Sequence, residues 1–309
     1  MLKYEKRGDT VKKLSLYAPS YYKRFKCIKG ECKHSCCIGW EIDVDRASLE
    51  KYNNLTDTFG KTIRDSVADG ENPHFMLSGN RCPHLDKDGL CRIISTLGED
   101  YLCDICRLHP RFYNVTKNRV EVGLGASCEE AARIILSDDG YRDIEIIGED
   151  VCTPPDFELT PLRDEVYAVL SNREKPYSER LSEIYEKNSV SPSVLSDTEW
   201  RDVISSLEYL SPENRTVFRC YSSDIFSSEN DLISERALAY FIYRHASCAE
   251  NAEEFRIRLG FSLFCERLFA SVLQVFSKDP IEIIRIISEE IEYSQDNTDA
   301  LIAEIEFAI

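Results

Sequence analysis

Nine of the chain's 13 cysteines fall between Cys27 and Cys128. They form four groups: Cys27-x4-Cys32-x3-Cys36-Cys37, Cys82-x8-Cys91, Cys103-x2-Cys106, and Cys128 alone. Thiols at short spacing beside Gly, Pro and His, with further thiols tens of residues away, are how a thiolate metal site is assembled from loops. Buried inert thiols are the plainer alternative, since a cysteine side chain is a small apolar group. Nothing in that alternative explains the clustering. Cys27, Cys32, Cys36, Cys37, Cys82, Cys91, Cys103, Cys106 and Cys128 are therefore the candidate metal ligands. Four thiolates hold one zinc ion or one four-iron cluster, and nine suffice for two sites. The spacing alone does not decide between zinc and iron–sulfur. His34, His84 and His109 lie within or beside these groups and are candidates to replace a thiolate. A surface or supporting role is the more economical reading of each.

The elements that must position the thiols can be read in outline. Trp40 to Val44 alternates like a short strand. Asp45 is a good N-cap for a helix through Leu49 and Tyr52. A second helix is expected from Phe59 to Val67, ending at Asp69-Gly70. Residues 73–94 read as β structure, with Cys82 and Cys91 brought together across the Asp88-Gly89 turn of a hairpin. Ile94 to Leu102 looks helical, and Cys103-x2-Cys106 spaces two thiols by about one helical turn. Residues 112–124 suggest a second hairpin around Lys117-Asn118. Ser127-Cys128-Glu129-Glu130 has the form of a capping box before Ala131 to Leu136, with Cys128 at the start of that helix. Beyond about residue 160 the apolar spacing is helical: Leu162 to Leu170, Tyr177 to Tyr185, and a last helix opened by Pro280. Cys152, Cys220, Cys248 and Cys265 are scattered there and are expected to be structural. The fold expected is mainly α with small β-hairpins. A cysteine-rich metal-binding domain (residues 1–150) is followed by an all-helical domain (151–309).

Composition bounds the function. The net charge is −17, yet residues 1–40 carry ten Lys and Arg against three acids, so the remainder sums to −24. An acidic bulk argues against general nucleic-acid binding, so no nucleic-acid partner is expected. No apolar run approaches the ~20 residues that cross a bilayer, so no membrane partner is expected. The opening residues are charged throughout and lack the apolar core of a signal peptide. A cytoplasmic location is expected, where many cysteines mean metal or redox chemistry rather than disulfides. Gly123-Leu124-Gly125-Ala126 follows an expected strand and precedes a helix, but without a third glycine it is a faint nucleotide-loop signal.

Taken together, the motifs resemble a known family. Cys36-Cys37-Ile38-Gly39-Trp40, Arg81-Cys82-Pro83-His84-Leu85 and Gly89-Leu90-Cys91-Arg92-Ile93 carry the likeness. So do Leu97-Gly98-Glu99-Asp100-Tyr101-Leu102-Cys103-Asp104-Ile105-Cys106-Arg107-Leu108-His109-Pro110-Arg111 and Ser127-Cys128-Glu129-Glu130-Ala131-Ala132-Arg133. The combination is similar to flagellin lysine-N-methylase, the FliB family, and more distantly to CxxCxxCC-type putative zinc- or iron-chelating proteins. The match covers about residues 15–137, with a looser likeness over 235–245. The resemblance implies methyl transfer from S-adenosylmethionine (SAM) to lysine side chains of flagellin, by a protein carrying a cysteine-ligated iron–sulfur cluster of the [4Fe-4S] kind. There is no CxxxCxxC loop of radical-SAM enzymes and no glycine-rich strand end of common methyltransferases. The SAM-binding residues and the general base are therefore unassigned, as is the set of four cysteines that shares a cluster. Two other functions compete. One is a non-catalytic zinc- or iron-binding module with a structural or partner-docking role. The other is a redox or metal-delivery protein working through Cys36-Cys37 or Cys103-x2-Cys106.

Overall fold

The computed structural model describes residues 11–68, 70–191, 195–224, 230–276 and 278–307. The charged residues 1–10, and Asp69 at the expected end of the second helix, lie outside them. About 54% of the chain is helical, so the mainly-α expectation holds, and the β structure amounts to one small four-stranded sheet. No helix among the described residues is long and apolar enough to cross a membrane.

Internal contacts divide the chain into two units. The first comprises Lys26–Arg111 with Cys128–Glu130, and so holds all nine clustered cysteines. Its regular elements are short: α1 (Arg46–Asn53), α2 (Thr58–Asp65), α3 (Arg92–Leu97), α4 (Asp104–Leu108) and the opening of α5 (Glu129–Ser137). Asp45 caps α1 as expected, its carboxylate accepting the Ser48 N–H at 2.9 Å. Asp57 caps α2 in the same way through Gly60 N–H, 2.7 Å.

The strands expected over 40–44 and 73–94 are not formed as ladders. Isolated bridges stand in their place: Ile38 with Arg81, Asp43 with His74, Val67 with Phe75, Ser78 with Arg81, and Leu85 with Cys91. The alternation at 41–44 was real as a burial pattern, since Ile42 and Val44 are buried while Glu41 and Asp43 are exposed. It did not imply a partner strand, because burial has period two wherever the backbone is extended. The core of this unit is small. Ile42, Val44, Tyr52, Ile63, Phe75 and Ile93 are buried together with Cys82 and Cys103.

The second unit holds residues 11–25, 112–127 and 131–307. Its sheet runs β2 (Arg111–Val115), β3 (Arg119–Leu124), β1 (Lys12–Pro19), β4 (Ile144–Cys152). The expected hairpin over 112–124 is formed by β2 and β3, closed by Thr116 N–H to Arg119 C=O at 2.9 Å. β1 lies parallel to β3, pairing Leu16 with Val120, and antiparallel to β4. Strands on either side of the cysteine tract in sequence thus become neighbours. The helices are α6 (Thr160–Leu170), α7 (Tyr177–Lys187), α8 (Asp197–Ser206), α9 (Pro212–Phe218), α10 (Asp231–His245), α11 (Ala252–Val275), α12 (Pro280–Ile287) and α13 (Gln295–Glu306). Pro280 does open α12, at a position where its missing N–H has no helical acceptor to serve, but α12 is not the last helix as expected, since α13 follows it. α10 and α11 bury residues all round, which marks them as the centre of this unit's core.

Carboxylates inside the second unit are matched to guanidinium groups. Glu121, fully buried, meets Arg163 at 2.5 Å and Arg119 at 2.6 Å. Glu235 meets Arg180 at 2.6 Å and Arg173 at 2.8 Å, and accepts the Tyr141 hydroxyl. Glu292 meets His245 at 2.5 Å and Arg244 at 3.3 Å. Burial raises the Glu292 carboxyl, but Arg244 and His245 outweigh it and hold the group at about 2.

Candidate metal centre

The first unit places its thiols in two environments. Cys82 and Cys103 are buried in the core, and Cys37, Cys91 and Cys106 are half-buried and packed against it. Cys27 and Cys36 are exposed, and Cys32 and Cys128 are half-buried outside that packing.

Local structure explains the inner group. The Cys82 N–H donates to the Cys37 carbonyl at 2.8 Å, which fixes those two chain segments side by side. From Cys82 the chain turns through Asp86–Gly89. Asp86 accepts the N–H groups of Asp88 (2.9 Å) and Leu90 (2.8 Å), and Gly89 takes the positive φ of 75° that the turn requires. The expected hairpin is reduced to this turn and the single Leu85–Cys91 bridge, but it returns Cys91 toward Cys82 all the same. Cys91 and Cys103 are the residues immediately before α3 and α4. Ile94 to Leu102 was expected as one helix; α3 instead ends at Leu97, where Gly98 (φ 91°) turns the chain into a short 3-10 segment. The sulfurs of Cys103 and Cys106 stand 3.4 Å apart. Two thiolates on one tetrahedral zinc at ~2.3 Å would lie about 3.8 Å apart, so this pair is near chelating distance.

The sulfurs are also met by backbone donors. Cys82 accepts the His84 N–H, Cys91 those of Ile94 and Ile93, and Cys103 that of Cys106. In the outer group Cys27 accepts the Lys29 N–H at 3.4 Å. Such bonds stabilise thiolate over thiol and are the support that ligating sulfurs use. Against them works burial, which pushes Cys82 up to about 11 and Cys32 up to about 12, the latter with help from Cys128 and Cys27. Within the coupled pairs, Cys106 is raised by its hydrogen bond to Cys103 and Cys36 by its bond to Cys37. Cys37 is lowered to about 7 by Cys36, with Ser35 and Arg81 assisting. Crowded thiols that raise one another become thiolates together only when a cation joins them.

The donor chemistry and the backbone support thus fit a thiolate-bound metal. The convergence does not extend to a closed site: among the described residues, no three His, Cys, Asp or Glu stand close enough to hold one metal ion. A metal-binding domain is therefore not established by this geometry.

The histidines divide. His84 is buried between Phe59 and Phe75, with Nε2 2.9 Å from Ser66 Oγ and Nδ1 unpartnered. Burial and Arg92 lower it to about 4, so it is a neutral ring. His34 donates its backbone N–H to Glu129 at 3.4 Å. His109 follows α4 directly and precedes a cis peptide bond to Pro110.

Two carboxylates matter here that sequence reasoning missed or half-read. Glu129 Oε2 accepts the Lys33 N–H at 2.8 Å as well as that of His34, and so ties the Cys32 loop to the residue next to Cys128. Asp45 serves twice, since its second oxygen accepts the Asp104 N–H at 2.8 Å at the start of the Cys103–Cys106 turn. The capping pattern gave the first role of Asp45, and no spacing signal encodes the second. In the second unit, the glycine loop also has a packing explanation. A Cβ on Gly123 would lie 2.2 Å from the Phe112 ring, and the Ala126 N–H donates to the Tyr240 hydroxyl at 2.9 Å. Cys152, Cys220, Cys248 and Cys265 all belong to that unit.

Comparison with known proteins gives three relatives. A lysine-N-methylase of Salmonella typhimurium is 32% identical over 161 residues, covering 49% of this chain and 39% of that protein. A lysine-N-methylase of Salmonella choleraesuis is 31% identical over the same length and coverage. The flagellar biosynthetic protein FliU of Salmonella muenchen is 33% identical over 137 residues, covering 41% of this chain and 80% of that protein. The chain spans about two-fifths of the length of the lysine-N-methylases it matches. No family model and no solved structure matches it.

Proposed function

Since this chain belongs to the FliB family of lysine-N-methylases, we propose that it takes part in SAM-dependent N-methylation of flagellin lysines through a cysteine-ligated iron–sulfur cluster. The observation that carries this reading is the gathering of all nine motif cysteines in one unit of a chain that, over less than half its length, is 32–33% identical to a lysine-N-methylase and to FliU. Cys27, Cys32, Cys36, Cys37, Cys82, Cys91, Cys103, Cys106 and Cys128 supply the ligands. Backbone N–H groups point at the sulfurs of Cys82, Cys91, Cys103 and Cys27. Asp45 and Glu129 fix the turns that carry them. When bound, the cluster supplies either an open iron that holds SAM or a purely structural anchor.

The transfer itself asks little of the protein in covalent terms. A lysine amine, stripped of its proton, attacks the sulfonium methyl. The new C–N bond forms as the S–C bond breaks, the thioether leaves, and the extra proton on nitrogen passes to a base. Orientation and exclusion of water are the main contributions a protein can make to such a step. The test uses protein prepared without oxygen, assayed for iron and acid-labile sulfide, then incubated with flagellin and methyl-labelled SAM. Label on flagellin lysines supports the reading. Iron-loaded protein that transfers none counts against it.

A second reading has its own support. The 3.4 Å separation of Cys103 and Cys106 is near that of two thiolates on one zinc, which favours a non-catalytic zinc module. Stoichiometric zinc with no SAM binding would select it.

A further inference from the structure

We infer that His245 is the general base that takes the proton from the substrate lysine, with Glu292 and Tyr240 positioning its ring. The inference rests on the reading above that the protein methylates lysine, and it fills the base left unassigned there. Two stretches singled out in the sequence and given no chemical role so far, 123–126 and 235–245, meet here within the second unit.

The arrangement is a chain of hydrogen bonds drawn from three parts of that unit. The Ala126 N–H donates to the Tyr240 hydroxyl at 2.9 Å, and that hydroxyl donates to Glu292 Oε2 at 2.7 Å. Glu292 Oε1 faces His245 Nε2 at 2.5 Å. Glu292 enters from a single π turn, Ser288–Glu292, a local insertion that recurs at functional sites. The network leaves one basic atom uncommitted. Among the described residues the His245 ring is hydrogen-bonded through Nε2 alone, and Nδ1 is not enclosed. The His245 side chain is 10% exposed, whereas that of Glu292 is sealed.

The proton positions follow from donor and acceptor chemistry. The Ala126 N–H and the Arg244 guanidinium can only donate, so Tyr240 accepts from both and gives its own proton to Glu292. Glu292 is ionised down to about 2, so it too can only accept, and Nε2 must carry the ring hydrogen. Burial lowers His245, so the ring is neutral at pH 7. Its lone pair then lies on Nδ1, across the ring from the network. The other groups facing the ring are Arg244 on α10 and Arg258 on α11, while Cys265 on α11 lies near Glu292.

At pH 7 on the order of one lysine in 10³ carries a free amine, so a placed base matters. A lysine ammonium presented to Nδ1 gives it one proton. The freed nitrogen lone pair forms the C–N bond with the sulfonium methyl as the S–C bond breaks, and the thioether leaves. The proton stays on the imidazolium until water takes it. Glu292 meets that new charge already ionised and fixed in place, and does not take the proton itself.

The test compares the full natural chain with His245→Gln, whose amide can still reach Glu292 but offers no basic nitrogen. Methyl transfer from labelled SAM to flagellin is followed from about pH 7 to 10. At pH 7 the variant is expected to lose about 10²–10⁴-fold. Its residual rate should climb about tenfold per pH unit as lysine ionises unaided. A loss equal at every pH would make the role structural, and a folded variant at the natural rate would leave His245 no role; either overturns the inference. A second measurement needs no turnover and no variant activity: nitrogen NMR of the natural chain, reading the tautomer of His245. Hydrogen on Nε2 with bare Nδ1 is expected at pH 7, and a ring protonated on Nδ1 overturns the assignment. A natural chain with the expected tautomer that transfers no methyl overturns the methylase reading and the base with it, whereas failure of the base alone leaves the natural chain active.

Discussion

The two units answer the same problem in different ways. Each buries groups that water would otherwise satisfy. In the second unit the answer is internal: Glu121, Glu235 and Glu292 each face guanidinium groups supplied by the same unit. In the first unit the buried groups are thiols, and their nearest partners are other thiols and backbone N–H groups. One unit carries both halves of its electrostatic pairs. The other carries a set of sulfur donors with no guanidinium group matched to them in this way among the described residues, and the proposed function supplies a cation as their complement. The second should therefore be as stable alone as loaded, and the first should not.

Chelation gives the largest expected effect. The two tryptophans fall one to each unit, Trp40 in the first and Trp200 in the second. In a metal-loaded Trp200→Phe chain, a strong chelator should abolish the cooperative unfolding transition of Trp40 fluorescence, a loss of several kcal/mol or more. In a Trp40→Phe chain the Trp200 transition should stay where it was. Equal shifts in both would erase the contrast.

Next in size, Arg163→Met leaves Glu121 buried with only Arg119. It should lower the Trp200 transition by about 3–5 kcal/mol while leaving Trp40 and metal content alone. A shift confined to Trp40 would show the charges to be misassigned.

Acid should then separate the two further. Glu292 is held at about 2 in the folded chain, below its ordinary value. Its contribution is present above about pH 4.5 and is lost as pH falls through about 2, amounting to a few kcal/mol. Glu292→Gln should flatten that part of the pH profile read by Trp200. In the first unit His84 is depressed to about 4, so its unfolded form binds the proton first and stability falls between about pH 6.5 and 4. His84→Gln should remove that slope from the Trp40 profile. His245, also lowered by burial, contributes in the same direction to the second unit, so the Trp200 profile is not flat there.

The smallest effect sharpens the boundary. Cys220→Ser, at a half-buried thiol in the second unit, should change stability by only about 0.5 kcal/mol and metal content not at all. Metal loss would place this thiol with the nine.

Much of this contrast was legible in the sequence because it rests on local rules. Asp45 as a cap, Pro280 at a helix start, the β2–β3 hairpin and the helical spacing after 160 are each decided by a few neighbouring residues. So was the clustering of cysteines. What was not legible depends on the unit as a whole. The alternation at 41–44 and the Asp-Gly turn predicted ladders, and the chain made single bridges, because thiols and a small apolar core rather than strand pairs fill this unit. The second role of Asp45, the anchoring by Glu129, and the need for Gly123 against Phe112 come from residues far apart in sequence. The pairing of β1 with β3 and β4 was invisible for the same reason.

That pairing has a consequence for how the protein is made. β1 leaves the ribosome before its parallel neighbour β3, which begins at Arg119, beyond eight of the nine clustered cysteines. At about 5–20 residues per second, β1 waits on the order of 5–20 s for that partner. During the wait Cys27 through Cys106 emerge one after another, while Cys128, the last of the nine, emerges only after β3 is complete. Vectorial synthesis therefore brings out Cys27 through Cys106 before the sheet can close, and Cys128 only afterwards.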